Sequence, residues 1–92
     1  MEQKTALSFL SHAGEIMKER GKQYDAEDGE RSMGKTVAAF NSITGRDLSE
    51  SEGWLLMLVL KQVRQWQSGP FHEDSAIDSV SYAALLAESL AK

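Results

Sequence analysis

Residues 49–82 read SESEGWLLMLVLKQVRQWQSGPFHEDSAIDSVSY, and this run decides the fold. Ser49 and Glu52 fit the capping box S-x-x-E, which satisfies free backbone donors where a helix begins. The pattern predicts a helix over about 49–67. Leu56, Val59, Leu60, Val63 and Trp66 recur at three- and four-residue steps, one face of that helix and its expected core face. Trp54 and Met57 fall on the opposite side, in line with Lys61 and Arg64. A helix apolar on both sides is either central to a fold or covered by a partner. In so short a chain a partner is expected. Gly69-Pro70 then breaks the chain, and a second helix is predicted over about 75–91. Ile77, Val80, Ala84, Ala87 and Ala91 form its stripe, with small alanines that permit close packing. Leu86 and Leu90 point away from that stripe, a second sign of self-association. The two helices are expected to form an antiparallel hairpin.

Upstream, Ala6, Phe9, Leu10, Ala13, Met17 and Arg20 share a face, so a helix is predicted over about 3–20, with Gly21 as its stop. Residues 22–30 carry Asp25, Glu27, Asp28 and Gly29 with little apolar content, and read as a loop. Met33, Val37, Phe40 and Thr44 line a further helix over about 32–44, with Ile43 beside them and Gly45 ending it. No strand pattern, repeat or low-complexity segment is visible. The expectation is one all-α domain over residues 1–92: a compact four-helix unit, homodimeric or larger.

The totals exclude several classes of function. Ninety-two residues make one domain, and such a chain buries only about 60–70% of its extended surface. Its stability margin is thin, and oligomerisation would widen it. The absence of cysteine removes disulfides, thiolate metal sites and thiol nucleophiles; with it, a cytoplasmic setting is expected. The longest apolar run, Trp54 to Leu60, has seven residues, far short of the roughly 20 that span a bilayer. The N-terminus lacks a basic region followed by an apolar one, so no signal peptide is expected. A net charge of −4 argues against broad nucleic-acid binding, which needs a basic face.

Three motifs carry candidate chemistry. Gly29-Glu30-Arg31-Ser32-Met33-Gly34-Lys35-Thr36 matches the P-loop pattern G-x-x-x-x-G-K-[ST]. A P-loop joins a buried strand to a helix, however, and residues 23–28 are no such strand. Asp25, Glu27, Asp28 and Glu30 would also repel phosphate. A calcium loop fails too, because counting back from Gly29 puts Tyr24 at the first ligand position. The third candidate is stronger. Asp74, Asp78 and Tyr82 are spaced by four and share a helical face. Lys61 and Arg64 share a face on the preceding helix. Two readings stand open: a structural ion-pair and capping network, with Asp74 or Ser75 as the cap, or a polar ligand site. In a ligand site the carboxylates would suit Mg²⁺ or Mn²⁺, or the bases would hold a phosphate. His72 is expected to cap the last helix or lie on the surface, and His12 is assigned no role.

The order Glu19-Arg20-Gly21-Lys22-Gln23-Tyr24, then Glu30-Arg31-Ser32-Met33 with Thr36 and Phe40-Asn41, resembles a family of small phage- and prophage-encoded proteins of unknown function. So does the run Lys61-x-x-Arg64, His72-x-Asp74-Ser75-x-x-Asp78-x-x-x-Tyr82-Ala83. The resemblance covers roughly residues 15–90 and ties Arg20, Tyr24, Glu30 and Arg31 to the later polar set. At a greater distance the layout is similar to the MazG-like all-α nucleotide pyrophosphohydrolases. That resemblance implies a helical dimer or tetramer holding Mg²⁺ through an E-x-x-E helix and a later E-x-x-D helix. This chain departs from the pattern: Glu27 and Glu30 have the first spacing only in a loop, and the later pair is Asp74-x-x-x-Asp78.

The expected function is therefore that of a small phage accessory protein in the cytoplasm of a bacterial host cell. It would act as a non-catalytic module for a host protein or a nucleotide-like ligand, without a cofactor and without membrane contact. The candidate site is Arg20, Tyr24, Glu30, Arg31, Lys61, Arg64, His72, Asp74, Asp78 and Tyr82. The alternative is a Mg²⁺-dependent MazG-like nucleoside triphosphate pyrophosphohydrolase, with metal on Asp74 and Asp78, joined by Glu27 and Glu30, and phosphates on Lys61, Arg64 or Arg31.

Overall fold

The computed structural model describes residues 4–24 and 32–92, the side chains of 21–24 excepted. It contains four helices, α1 (Ala6–Tyr24), α2 (Met33–Thr44), α3 (Glu50–Ser68) and α4 (Glu73–Ala91), and no strand among the described residues. α3 and α4 form the central hairpin, α1 packs on α4, and α2 packs on α3. The hairpin is antiparallel, because its cross-links run in opposite order along the two helices. Ser51 Oγ lies 2.8 Å from Ser89 Oγ, and further along α3 Gln62 donates to Ser79 Oγ at 3.0 Å.

The helix boundaries follow local chemistry. At the start of α3 the predicted capping box is present: Ser49 Oγ accepts from the Glu52 N–H, and the Glu52 carboxylate accepts from the Ser49 N–H. The bonds from the Ser49 backbone and then its side chain hold the Glu52 carboxyl below its ordinary pKa, since both favour the charged form. α2 stops at Gly45, whose φ of 74° is the left-handed conformation that suits glycine. Asn41 fixes the turn that follows, accepting from the Leu48 N–H at 2.8 Å and donating to its carbonyl at 2.9 Å. The α3–α4 turn is held from α3: Gln65 donates to the Pro70 carbonyl and accepts from the His72 N–H.

Two boundaries differ from expectation. α1 does not stop at Gly21 but continues to Tyr24; a helical glycine costs only about 1 kcal/mol relative to alanine and does not by itself end a helix. α4 begins at Glu73, and its cap is His72 rather than Asp74 or Ser75. The acidic segment 25–31, with the calcium-loop reading and the glycine end of the P-loop match, lies outside the described residues. Met33, inside that match, is buried in the core.

The rotation of α3 is the main correction. Its inward face carries Trp54, buried with Met33, Val37 and Leu85, and Met57 packs against that cluster. The stripe expected to form the core, Leu56, Val59, Leu60, Val63 and Trp66, faces outward instead. On α4, Ile77 is buried, but Ala84, Ala87 and Ala91 are exposed. Leu86 packs on the core rather than away from it, and only Leu90 remains outside. Serines line much of the inner face of α4: Ser75, Ser79 and Ser81 are all buried. Their small size lets α3 and α4 approach, but they add little apolar burial.

Two outcomes test this packing. A Cβ at Gly53 would lie 2.6 Å from Met33 Sδ and 2.9 Å from Val37 Cγ1, whereas one at Gly14 meets nothing within 4 Å. Urea denaturation should show Gly53→Ala destabilised by about 1 kcal/mol or more, because overpacking outweighs the gain in helix propensity. Gly14→Ala should gain about 0.5–1 kcal/mol. For the cap, the lowered pKa of Glu52 makes its contribution full above the unfolded-state value and lost as pH falls through the folded-state value. A melting-temperature series from neutral to acid pH should therefore decline less steeply for Glu52→Gln; an unchanged acid limb would refute the assignment.

Candidate functional site

Three helices deliver one charge each to a common point. Asp78 projects from the second turn of α4, on the side that meets both α1 and α3. Lys61 lies two helical turns beyond Trp54, so the burial of that indole turns the lysine inward as well. Its Nζ is 2.9 Å from Asp78 Oδ2, and both side chains are mostly buried. Arg20, in the last part of α1, brings a guanidinium nitrogen to 3.8 Å from Asp78 Oδ1. That distance is an ion-pair contact and too long for a hydrogen bond. Among the described residues two cations thus share one carboxylate, with one positive charge in excess. Arg20 is the more exposed member, at 36%, and most of its five donors remain uncommitted to Asp78.

Beside Arg20 lies a small pocket lined by Met17, Arg20, Ser81 and Leu85. Its volume of about 10 Å³ is close to what a single water needs. Ser81 is 4% exposed, and its Oγ has no hydrogen-bond partner. A buried unpaired hydroxyl is costly, so this atom calls for an oxygen or nitrogen in the pocket. Ser81 was not legible as a site residue. The only sequence signal is the repeated use of serine, a modest helix former, at 75, 79, 81 and 89 of one helix.

The remaining candidates separate from this cluster. Arg64 lies exposed on α3, one turn beyond Lys61 but rotated out of the interface. Asp74 is exposed in the first turn of α4. Among the described residues, no group of three His, Asp or Glu side chains is placed to hold a metal ion. His72 serves as the α4 cap: its Nδ1 accepts from the Ser75 N–H at 3.2 Å and lies 2.6 Å from Ser75 Oγ. Tyr82 stacks on Trp54, with ring centroids 5.9 Å apart, and belongs to the core. Tyr24 ends α1, and its side chain, with Glu30, Arg31 and Glu27, lies outside what the structure describes.

The matching family is described as a domain of unknown function, DUF6378, and its match spans residues 8–90. The chain belongs to that family. No curated protein and no solved structure matches it. No helix among the described residues is long and apolar enough to cross a membrane.

The cluster makes an energetic prediction. Removing one member of a mostly buried ion pair leaves the other uncompensated, so Lys61→Met and Asp78→Leu should each cost about 2–4 kcal/mol in urea unfolding. The double variant should lose at least about 1 kcal/mol less than the sum, because neither buried member is left without the other and only the partly solvated Arg20 keeps an unpaired charge. Arg20→Ala should cost only about 0.5 kcal/mol, since its contact is long and partly solvated. Strict additivity of the Lys61 and Asp78 variants would show that the pair is not coupled.

Proposed function

We propose that this DUF6378 member is a non-catalytic binding module whose junction of α1, α3 and α4 takes a small anionic, nucleotide-like ligand. The observation that carries the reading is the convergence of Arg20 and Lys61 on a single carboxylate, Asp78. Among the described residues, one positive charge is left over at the site. The member with spare donors, Arg20, is also the exposed one, next to the unpaired Ser81 hydroxyl. A planar guanidinium of this kind suits phosphate or carboxylate oxygens. The pocket admits one ligand oxygen, so the rest of the ligand would lie across the rim formed by Arg20.

The pyrophosphohydrolase alternative draws less support. Its metal pair was Asp74 with Asp78, and Asp78 is committed to Lys61 while Asp74 lies exposed on the preceding turn. A carboxylate already neutralised by a lysine is a poor ligand for a hard divalent cation. The phage setting rests on the sequence resemblance alone, and a host protein presenting an acidic or phosphorylated group would be read by the same chemistry.

Calorimetric titration with nucleoside mono-, di- and triphosphates and with inorganic phosphate, with and without Mg²⁺ or Mn²⁺, tests the reading. A phosphate-bearing ligand should bind without turnover. Arg20→Ala should weaken that binding about tenfold, the worth of one charge-assisted hydrogen bond, at nearly unchanged stability. Release of monophosphate and pyrophosphate would replace the module reading with the hydrolase one. Failure of every ligand to bind would remove the nucleotide-like ligand altogether.

A further inference from the structure

The outer face of α3 is unusually apolar. Leu55, Leu56, Val59, Leu60, Val63 and Trp66 line the outer side of α3 over three turns, with Leu56 60% and Trp66 79% exposed. At 100° per residue, no charged or polar side chain interrupts this stripe between Glu52 and Gln67. Arg64 flanks it, and Lys61 turns inward. Patches of several hundred Å² on a soluble domain mark interaction surfaces.

A groove of about 570 Å³ adjoins the stripe. Among the described residues α1 packs on α4 and not on α3. Between α1 and α3, a trough therefore opens over α4. Phe9 and Leu10 form one wall, Gln62 the other, and Phe71 contributes at one end. The floor is small: Ala76, Ser79 and Val80. Gln62 is three residues from Val59 and four from Trp66, so the groove wall and the stripe share neighbouring rows of one helix. The two features make one continuous surface, a bulky ridge beside a shallow trough.

The exposed area of the whole chain exceeds that of a compact monomer. The chain exposes 6504 Å², whereas a compact monomer of its mass, 10.2 kDa, would expose roughly 5300 Å². Its radius of gyration is 14.3 Å, against about 12 Å for a compact domain of this length. The excess over the whole chain, about 1200 Å², is of the order of the roughly 800 Å² that each partner contributes to a standard stable interface. The described core is correspondingly small: Ala13, Met33, Val37, Trp54, Ile77 and Leu85. Ridge and trough also lie on the same chain, so a second copy presents the complement of each, as a two-fold interface requires.

We propose that the outer face of α3 and the adjoining groove form a homodimer interface, the occupant being a second copy of this chain, with the α3 ridge of each copy seated in the groove of the other. The proposal goes beyond the anion-binding reading and uses a different surface, so either can fail without the other.

Sedimentation velocity in the micromolar range, with no nucleotide present, tests it. The wild type should sediment as a dimer. Val59→Glu should raise the dissociation constant about 100-fold or more, because a charge would be buried at the centre of the interface. Val59→Ile should retain the dimer, and so should Ile43→Glu, a control at an 84% exposed apolar position on α2. Circular dichroism confirms that each variant is folded. In the wild type alone, emission from Trp66 should shift to longer wavelength on dilution, at the midpoint found by sedimentation, while Trp54 stays buried. A wild type that remains monomeric, a dimer that survives Val59→Glu, or equal disruption by Ile43→Glu would each overturn the proposal.

Discussion

The burial of Trp54 governs the rest of this structure. The indole is 4% exposed, stacks on Tyr82, and sits in the cluster that joins α2, α3 and α4. Once that side chain faces inward, the rotation of α3 is set. Lys61, two turns along, must then enter the α3–α4 interface, and its charge requires a partner; Asp78 supplies it at 2.9 Å. The same rotation turns Leu55, Val59, Val63 and Trp66 to the outside. The polar junction and the apolar outer face are therefore two consequences of one packing choice.

The interior of the hairpin explains why so much apolar surface remains outside. Beside the Trp54 cluster, α4 meets α3 through small polar side chains: Ser79 bonded to Gln62, and Ser89 bonded to Ser51. These contacts fix register with directional bonds, but each yields only about 0.5–1.5 kcal/mol net. A chain with so few buried apolar side chains gains little from its own core. Its longest apolar stripe lies where α2 and α4 do not reach, which is the physical basis for assigning that stripe to a second copy.

Within the junction, the three charges play different parts. Lys61 and Asp78 are mostly buried and satisfy one another, so their first role is to specify how α3 meets α4. Arg20 reaches the same carboxylate from α1 at a longer distance and keeps contact with solvent. It is the member able to exchange part of its present interaction for that of a ligand. Ser81, buried and unpaired beside it, adds a donor or acceptor that nothing in the described chain uses.

By itself the sequence determined the all-α class, four helices, the Ser49–Glu52 capping box, the Gly45 stop and the Gly69-Pro70 break. These depend on local rules: hydrophobic period, side-chain caps, and the freedom of glycine at positive φ. It also brought Lys61 and Asp78 forward, since their spacing on adjoining helices was visible. It did not determine which apolar side of α3 faces inward, because both sides have helical periodicity and periodicity does not name a partner. Counting apolar residues favoured the longer stripe. The tertiary structure buried the side bearing Trp54 and the lysine with a carboxylate opposite it, and left the side bearing Trp66 outside. Only that choice turned Arg64 outward, stacked Tyr82 on Trp54, and left Ser81 as a buried hydroxyl without a partner. Those properties arise from the relative rotation of packed helices, which is set by contacts distant in sequence.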